Sequence, residues 1–224
     1  MSASERPATS LPADLRARVL AEAARAPSST RREHRTRVAI VTGAGVLAAA
    51  AFFFATGGLW RGSRPVELVA FTAGFGLVAA LVLTRVSAGR PRSMLGRPRH
   101  LLLLPCVLAA PLLALVALAA AGLWPEPAAE DVASTSHLAC ALLTIVQGAL
   151  PLAALVVPRR GTDPVHPAIT GAALGMTAGA WTATMAYLRC PHAAATHCIA
   201  AHVVPTLVLT AAGALFGRAV LKIR

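Results

Sequence analysis

Acidic residues and lysine are what this chain has least of. Nine Asp and Glu stand against 21 Lys and Arg, and the single Lys is Lys222. No Asp, Glu or Lys lies deep inside any of the apolar runs. Charges within a membrane are costly and mark ion paths and proton relays. Their absence argues against a proton-coupled transporter or an ion pump. Aromatic residues make up 4% of the chain, so the net charge of +12 has no stacking residues interleaved with it. A single-strand binder needs both, and no direct nucleic-acid binding is expected. Four Cys scattered through such a chain do not form a disulfide framework. There is no H-E-x-x-H, no G-x-S-x-G and no phosphate-cradling Gly-rich loop ending in Lys-Ser or Lys-Thr. No catalytic residue and no cofactor are expected, and the chain does not read as an enzyme.

What is present is hydrophobic sequence, at 56% of 224 residues, with only 13% charged. A soluble domain of this size needs more polar surface. The apolar residues fall into six runs near Val38–Trp60, Val66–Thr84, Leu101–Trp124, Val132–Val157, Val165–Leu188 and Ile199–Leu221. About 20 residues suffice for a helix to cross a hydrocarbon core. The expected fold is therefore all-α: a polytopic bundle of six transmembrane helices at 38–224, behind a polar segment at 1–37. The first run begins too far along to be an export signal and is read as a retained span.

Charge distribution orients the bundle. With the N-terminus inside, the inner segments hold 18 Lys and Arg, and the outer loops hold only Arg61, Arg64 and Arg189. The positive-inside rule then places both termini in the cytoplasm. Trp60, Trp124 and Tyr187 fall near the outer boundary, where amphipathic rings settle. Pro105, Pro111, Pro151 and Pro205 lie within spans, where each removes a backbone donor. In the fifth run Gly171, Gly175 and Gly179 share one helical face, a ridge that lets another helix approach closely. Such a ridge serves a dimer as readily as an internal contact, so oligomeric state stays open.

Two further features stand out. In the N-terminal segment, Leu11, Leu15 and Val19 recur every four residues with Leu20 beside them, behind Pro12 and Asp14. This spacing predicts an amphipathic helix over about 12–26, with Ser28–Arg37 as a basic connector. The apolar stripe suits a groove on a cytoplasmic partner, the membrane surface or the bundle itself. The second feature is Cys190-Pro191-His192, followed by His197-Cys198 and His202, with His137 and Cys140 near the outer end of the fourth run. Cys and His at short spacing hold metals, but this spacing fits no standard zinc template. Cys190 paired with Cys198 or Cys140 would make a redox pair. Small buried thiols beside polar loop residues are the third reading.

The run Pro158-Arg159-Arg160-Gly161, then Pro164 and Pro167, then Gly171 to Gly175, then Leu188-Arg189-Cys190-Pro191, with Gly213 and Gly217 in the last helix, resembles the NrsF family. The Leu11 to Leu20 pattern is also like the tails of relatives in GC-rich bacteria, whose style the Arg-for-Lys bias fits. This sequence departs from the family pattern at Ala201-His202, where an aromatic is expected, and in its extra His192 and His197. The resemblance implies a six-helix anti-sigma factor of the bacterial inner membrane. It would sequester an extracytoplasmic-function sigma factor through Leu11, Leu15, Val19 and Leu20, and repress transcription until light or an oxidant inactivates it. The resemblance also implies a link to carotenoid control in light-responsive members. The competing reading is a small membrane scaffold or a permease-like protein for a neutral solute, which would not need the N-terminal helix.

Overall fold

The computed structural model describes residues 13–25, 31–58, 66–88, 134–160, 165–190, 192 and 195–222. Every regular element among them is helical. The third apolar run, Leu101–Trp124, lies outside the described residues, as do Leu11, Trp60, Pro105 and Pro111.

The chain divides into two compact units, Met1–Ala39 and Ile40–Arg224. In the first, α1 spans Ala13–Arg25, with Asp14 in its first turn, where a carboxylate favours the positive helix end. Helix α2 spans Arg31–Ala55, so the basic stretch expected to be a connector up to Arg37 is helical from Arg31. Arg is a good helix former, and Glu33 sits in the first turn of this helix. A helix already nucleated by the apolar run gains these residues at little further cost. Helix α2 ends where Gly57 and Gly58 adopt φ of 115° and 65°, a left-handed conformation open to glycine.

In the second unit, α3 spans Val66–Ala88, α4 spans Ser134–Val156, and α5 spans Pro167–Arg189. A 3₁₀ turn at Val157–Arg159 closes α4, and Pro167 opens α5 at its first turn. Helix α5 ends because Pro191 follows Cys190. The residue before a proline is driven from the α region, and Cys190 is extended at φ −72° and ψ 126°. The last helix has three parts: an α turn at Ala195–Cys198 (α6), a π turn at Ile199–Val203, and α7 at Val204–Val220.

Helix α5 forms the middle of this unit. Gly171, Gly175, Gly179, Leu174 and Ala178 are buried. A Cβ built at Gly171 would lie 2.8 Å from the Gly217 Cα, and one at Gly175 would lie 2.9 Å from the Thr210 Cα. A Cβ at Gly213 would in turn lie 2.9 Å from the Gly175 Cα. The two helices therefore run antiparallel with backbones in contact, which only small residues permit. On its other side α5 meets α3: the Ser87 and Thr177 hydroxyls are 2.6 Å apart, and Trp181 Nε1 donates to Thr84 Oγ1 at 2.9 Å. Helix α4 lies alongside α7 in the same direction, since Thr144 meets Ala201 and Gly148 meets Leu209. Leu152, Leu155, Val156, Leu174, Ala178 and Leu209 form the main apolar cluster.

The outward surface is apolar too. Leu47 and Phe54 on α2, Leu138 and Val146 on α4, and Leu215 and Phe216 on α7 are all exposed. Helices α4 (with the turn after it) and the π turn with α7 are long and apolar enough to cross a membrane, at His137–Arg159 and Ile199–Val220. Tyr187, two residues before the end of α5, is only 5% exposed, since it shares the buried face of that helix.

Candidate functional site: a cysteine and histidine cluster

Three elements bring their functional groups to one end of the bundle. Helix α4 supplies His137 and Cys140 from its first two turns. The extended Cys190 at the end of α5 turns its thiol back toward them. Helix α6 supplies His197, one turn before the π segment that carries His202.

The Cys140 and Cys190 sulfurs and a His197 ring nitrogen lie within 4.8 Å of one another. His197 is fully buried, and its Nε2 is 3.1 Å from the Cys190 Sγ. Its ring centroid lies 4.8 Å from that of His137, 4.9 Å from His192 and 5.6 Å from His202. Three imidazoles and two thiols thus converge on His197. Neither Cys140 nor Cys190 forms a disulfide. The Nδ1 atom of His197 and the Nε2 atom of His137 are buried with no hydrogen-bond partner among the described residues. Such atoms are uncommon and costly in native interiors.

This arrangement can do two kinds of chemistry. Two thiolates and an imidazole form a ligand set for a soft or borderline cation such as Zn²⁺, held by Cys140, Cys190 and His197. The same two thiols are near enough for a modest shift to join them. Of the pairings considered from sequence, the structure brings Cys190 to Cys140. The Cys198 side chain lies outside the described residues. His192 and His202 contact the cluster through their rings rather than as members of the three-atom set.

Around the cluster lies a polar frame that pattern reading passed over. Thr144 Oγ1 donates to the Cys140 carbonyl at 2.8 Å and reaches the Ala201 carbonyl at 3.1 Å. Thr206 Oγ1 donates to the His202 carbonyl at 2.9 Å and reaches the Gly179 carbonyl at 3.4 Å. Gln147 is fully buried, with its amide nitrogen 3.1 Å from the Met185 sulfur. Arg189 donates to Thr56 Oγ1 and lies 6.0 Å from the Phe53 ring centroid, joining the ends of α2 and α5. One signal could have exposed the frame: a proline inside an apolar helix strands the carbonyl four residues earlier, and a hydroxyl must come from elsewhere to meet it.

The second candidate site, the stripe on α1, is less fully described. Leu20 is 62% exposed, whereas Leu11 and the side chains of Leu15 and Val19 lie outside the described residues.

Among the described residues the fold is thus an all-helical bundle with exposed apolar faces and a thiol–imidazole cluster at one end, and α1 precedes it in the chain. The family model for NrsF, described as negative regulator of sigma F, matches residues 22–222, and the chain belongs to that family. No curated protein and no solved structure matches it.

Proposed function

We propose that this protein is a membrane-embedded anti-sigma factor. It spans the bacterial inner membrane six times with both termini in the cytoplasm, and it holds an extracytoplasmic-function sigma factor by its N-terminal segment. It performs no catalysis and moves no solute. Membership of the NrsF family, described as negative regulators of sigma F, carries this reading. The many exposed apolar side chains of α2, α4 and α7 support the membrane part, because apolar surface of this kind suits lipid. The charge asymmetry of 18 to 3 supports the orientation.

The α1 stripe is the contact. An amphipathic helix laid in a groove is a common mode of peptide recognition, and binding of about 10 kcal/mol corresponds to an affinity between micromolar and nanomolar. A pull-down of residues 1–37, and of the full-length protein, against the sigma factors of its host tests this. Capture of one sigma factor is expected. Capture of none by either, with unchanged transcription in a deletion strain, would end the anti-sigma reading.

The Cys140–Cys190–His197 cluster is the input. On oxidation each thiol gives up one proton and one electron, an S–S bond forms between Cys140 and Cys190, and the oxidant takes up two electrons and two protons. With diamide as the oxidant, the diazene becomes the hydrazine. Disulfide formation is read as a mass difference after alkylation of the remaining thiols. Full alkylation of Cys140 and Cys190 after diamide would remove the redox input.

A further inference from the structure

The π turn at Ile199–Val203 is the least regular helical segment described. Such turns inside α-helices are rare and concentrate at functional sites. Here the cause is legible. Pro205, the second residue of α7, has no N–H, so it cannot donate to the carbonyl of Ala201, four residues before it. The Thr144 hydroxyl of α4 reaches that carbonyl at 3.1 Å instead. The same hydroxyl is 2.8 Å from the carbonyl of Cys140, on its own helix. One proton faces two acceptors, one belonging to a cluster residue and the other to the π turn.

The turn is tied on its other sides as well. His202 lies within it, its ring 5.6 Å from that of His197. Thr206 receives the turn from below, donating to the His202 carbonyl at 2.9 Å and reaching the Gly179 carbonyl of the α5 ridge at 3.4 Å. A π turn holds one residue more than an α turn needs. Closing it into α-helix would rotate everything before it by about 100° and shift it by about 1.5 Å along the axis. That motion carries His197 away from Cys190 and shifts the turn relative to Thr206, which α7 holds against α5.

We propose that the π turn is the transmission element of this protein, with the Thr144 hydroxyl coupling the state of Cys140 to the register of the last helix against α5. The proposal rests on the reading of the cluster as the input. Joining Cys140 to Cys190 displaces the first turns of α4, draws the Thr144 proton back to the Cys140 carbonyl, and releases the Ala201 carbonyl. The turn then has two arrangements, as a switch requires.

The test uses the full-length protein in lipid nanodiscs, with C106A and C198A so that only the two cluster thiols react. Disulfide content is read by mass after alkylation, and amide hydrogen exchange is read on peptides covering 195–210, before and after diamide. In this parent, the exchange rate of the turn is expected to change at least tenfold when the disulfide forms. P205A restores the missing donor and is expected to exchange slowly in both states. T144V is expected to form the disulfide while the exchange of its turn stays unchanged. T144S keeps the hydroxyl and is expected to behave as the parent does.

A T144V turn that tracks oxidation as the parent does would overturn the proposal. So would a parent whose exchange stays constant while its disulfide forms. Loss of the disulfide in both T144V and P205A would also overturn it, by showing that the turn only shapes the site. P205A removes a helix breaker and so keeps the test open if T144V does not accumulate. Failure of the input reading looks different: the parent forms no disulfide, or C140S responds to diamide as the parent does, and the proposal falls with it.

Discussion

Glycine decides the packing of this protein one residue at a time. Gly171 and Gly43 are both helical, yet a Cβ at Gly43 meets nothing within 4 Å, whereas one at Gly171 lies 2.8 Å from the Gly217 Cα. The atoms facing Gly171 belong to backbone and cannot turn aside. We expect G171A to force α5 and α7 apart at a cost of about 1–3 kcal/mol, as overpacking does. G43A should be neutral or slightly stabilising, by up to about 1 kcal/mol, since Ala favours helix over Gly. Thermal unfolding midpoints of the detergent-solubilised variants separate the two. Equal midpoints would mean that the ridge is not a close contact. The four-residue spacing of Gly171, Gly175 and Gly179 was legible in the sequence as a ridge. Its partner was not, because Gly213 and Gly217 become its complement only when α7 lies antiparallel to α5. A buried hydroxyl pair such as Ser87 and Thr177 is equally silent in the sequence. T177V would leave Ser87 its bond to the Leu83 carbonyl at 2.6 Å, so a loss of only about 1 kcal/mol is expected in the same assay.

At the scale of the element, α1 shows what periodicity can say. The apolar spacing from Leu11 to Leu20 marked a helix, and a helix spans Ala13–Arg25. Thirteen residues are short for a helix to persist alone in water, and Leu20 is exposed, which accords with the proposed docking of α1 on a partner. L15D or V19D on that stripe should reduce capture of the sigma factor at least tenfold while membrane insertion is kept, read by co-purification and by membrane fractionation. Unreduced capture would move the contact elsewhere on the cytoplasmic face. The π turn lies beyond the reach of the same reasoning. Ile199–Val203 is apolar on all sides but one, and an apolar run reads alike in α and π geometry. Only the proline four residues after Ala201 hinted at a defect, and nothing in the sequence near it named Thr144 as the remedy. The cluster falls between these cases. Cys190 and His197 are neighbours in sequence, but Cys140 joins them only because α4 and the last helix run side by side.

For the whole molecule the proposed membrane crossings rest on helix direction as much as on hydropathy. Helices α4 and α7 run parallel, as the Thr144–Ala201 and Gly148–Leu209 contacts show. If both cross a bilayer, the chain must return across it between them, and α5 is the element that does so. Its 23 residues extend about 34 Å, enough for a hydrocarbon core of about 30 Å. Its composition of Ala, Gly and Thr makes it a weak span when judged alone. Its burial against α3, α4 and α7 meets that objection, since in the proposed membrane arrangement little of it would face lipid. Under this reading the basic turn at Arg159 and Arg160 lies in the cytoplasm and His192 lies outside. A single Cys placed at position 161 in a cysteine-free chain should therefore resist a membrane-impermeant maleimide added to intact spheroplasts, and should react after lysis. A single Cys at position 193 should react in both. Labelling of both positions from outside would mean that α5 does not cross, and would leave α4 and α7 without a route between their ends.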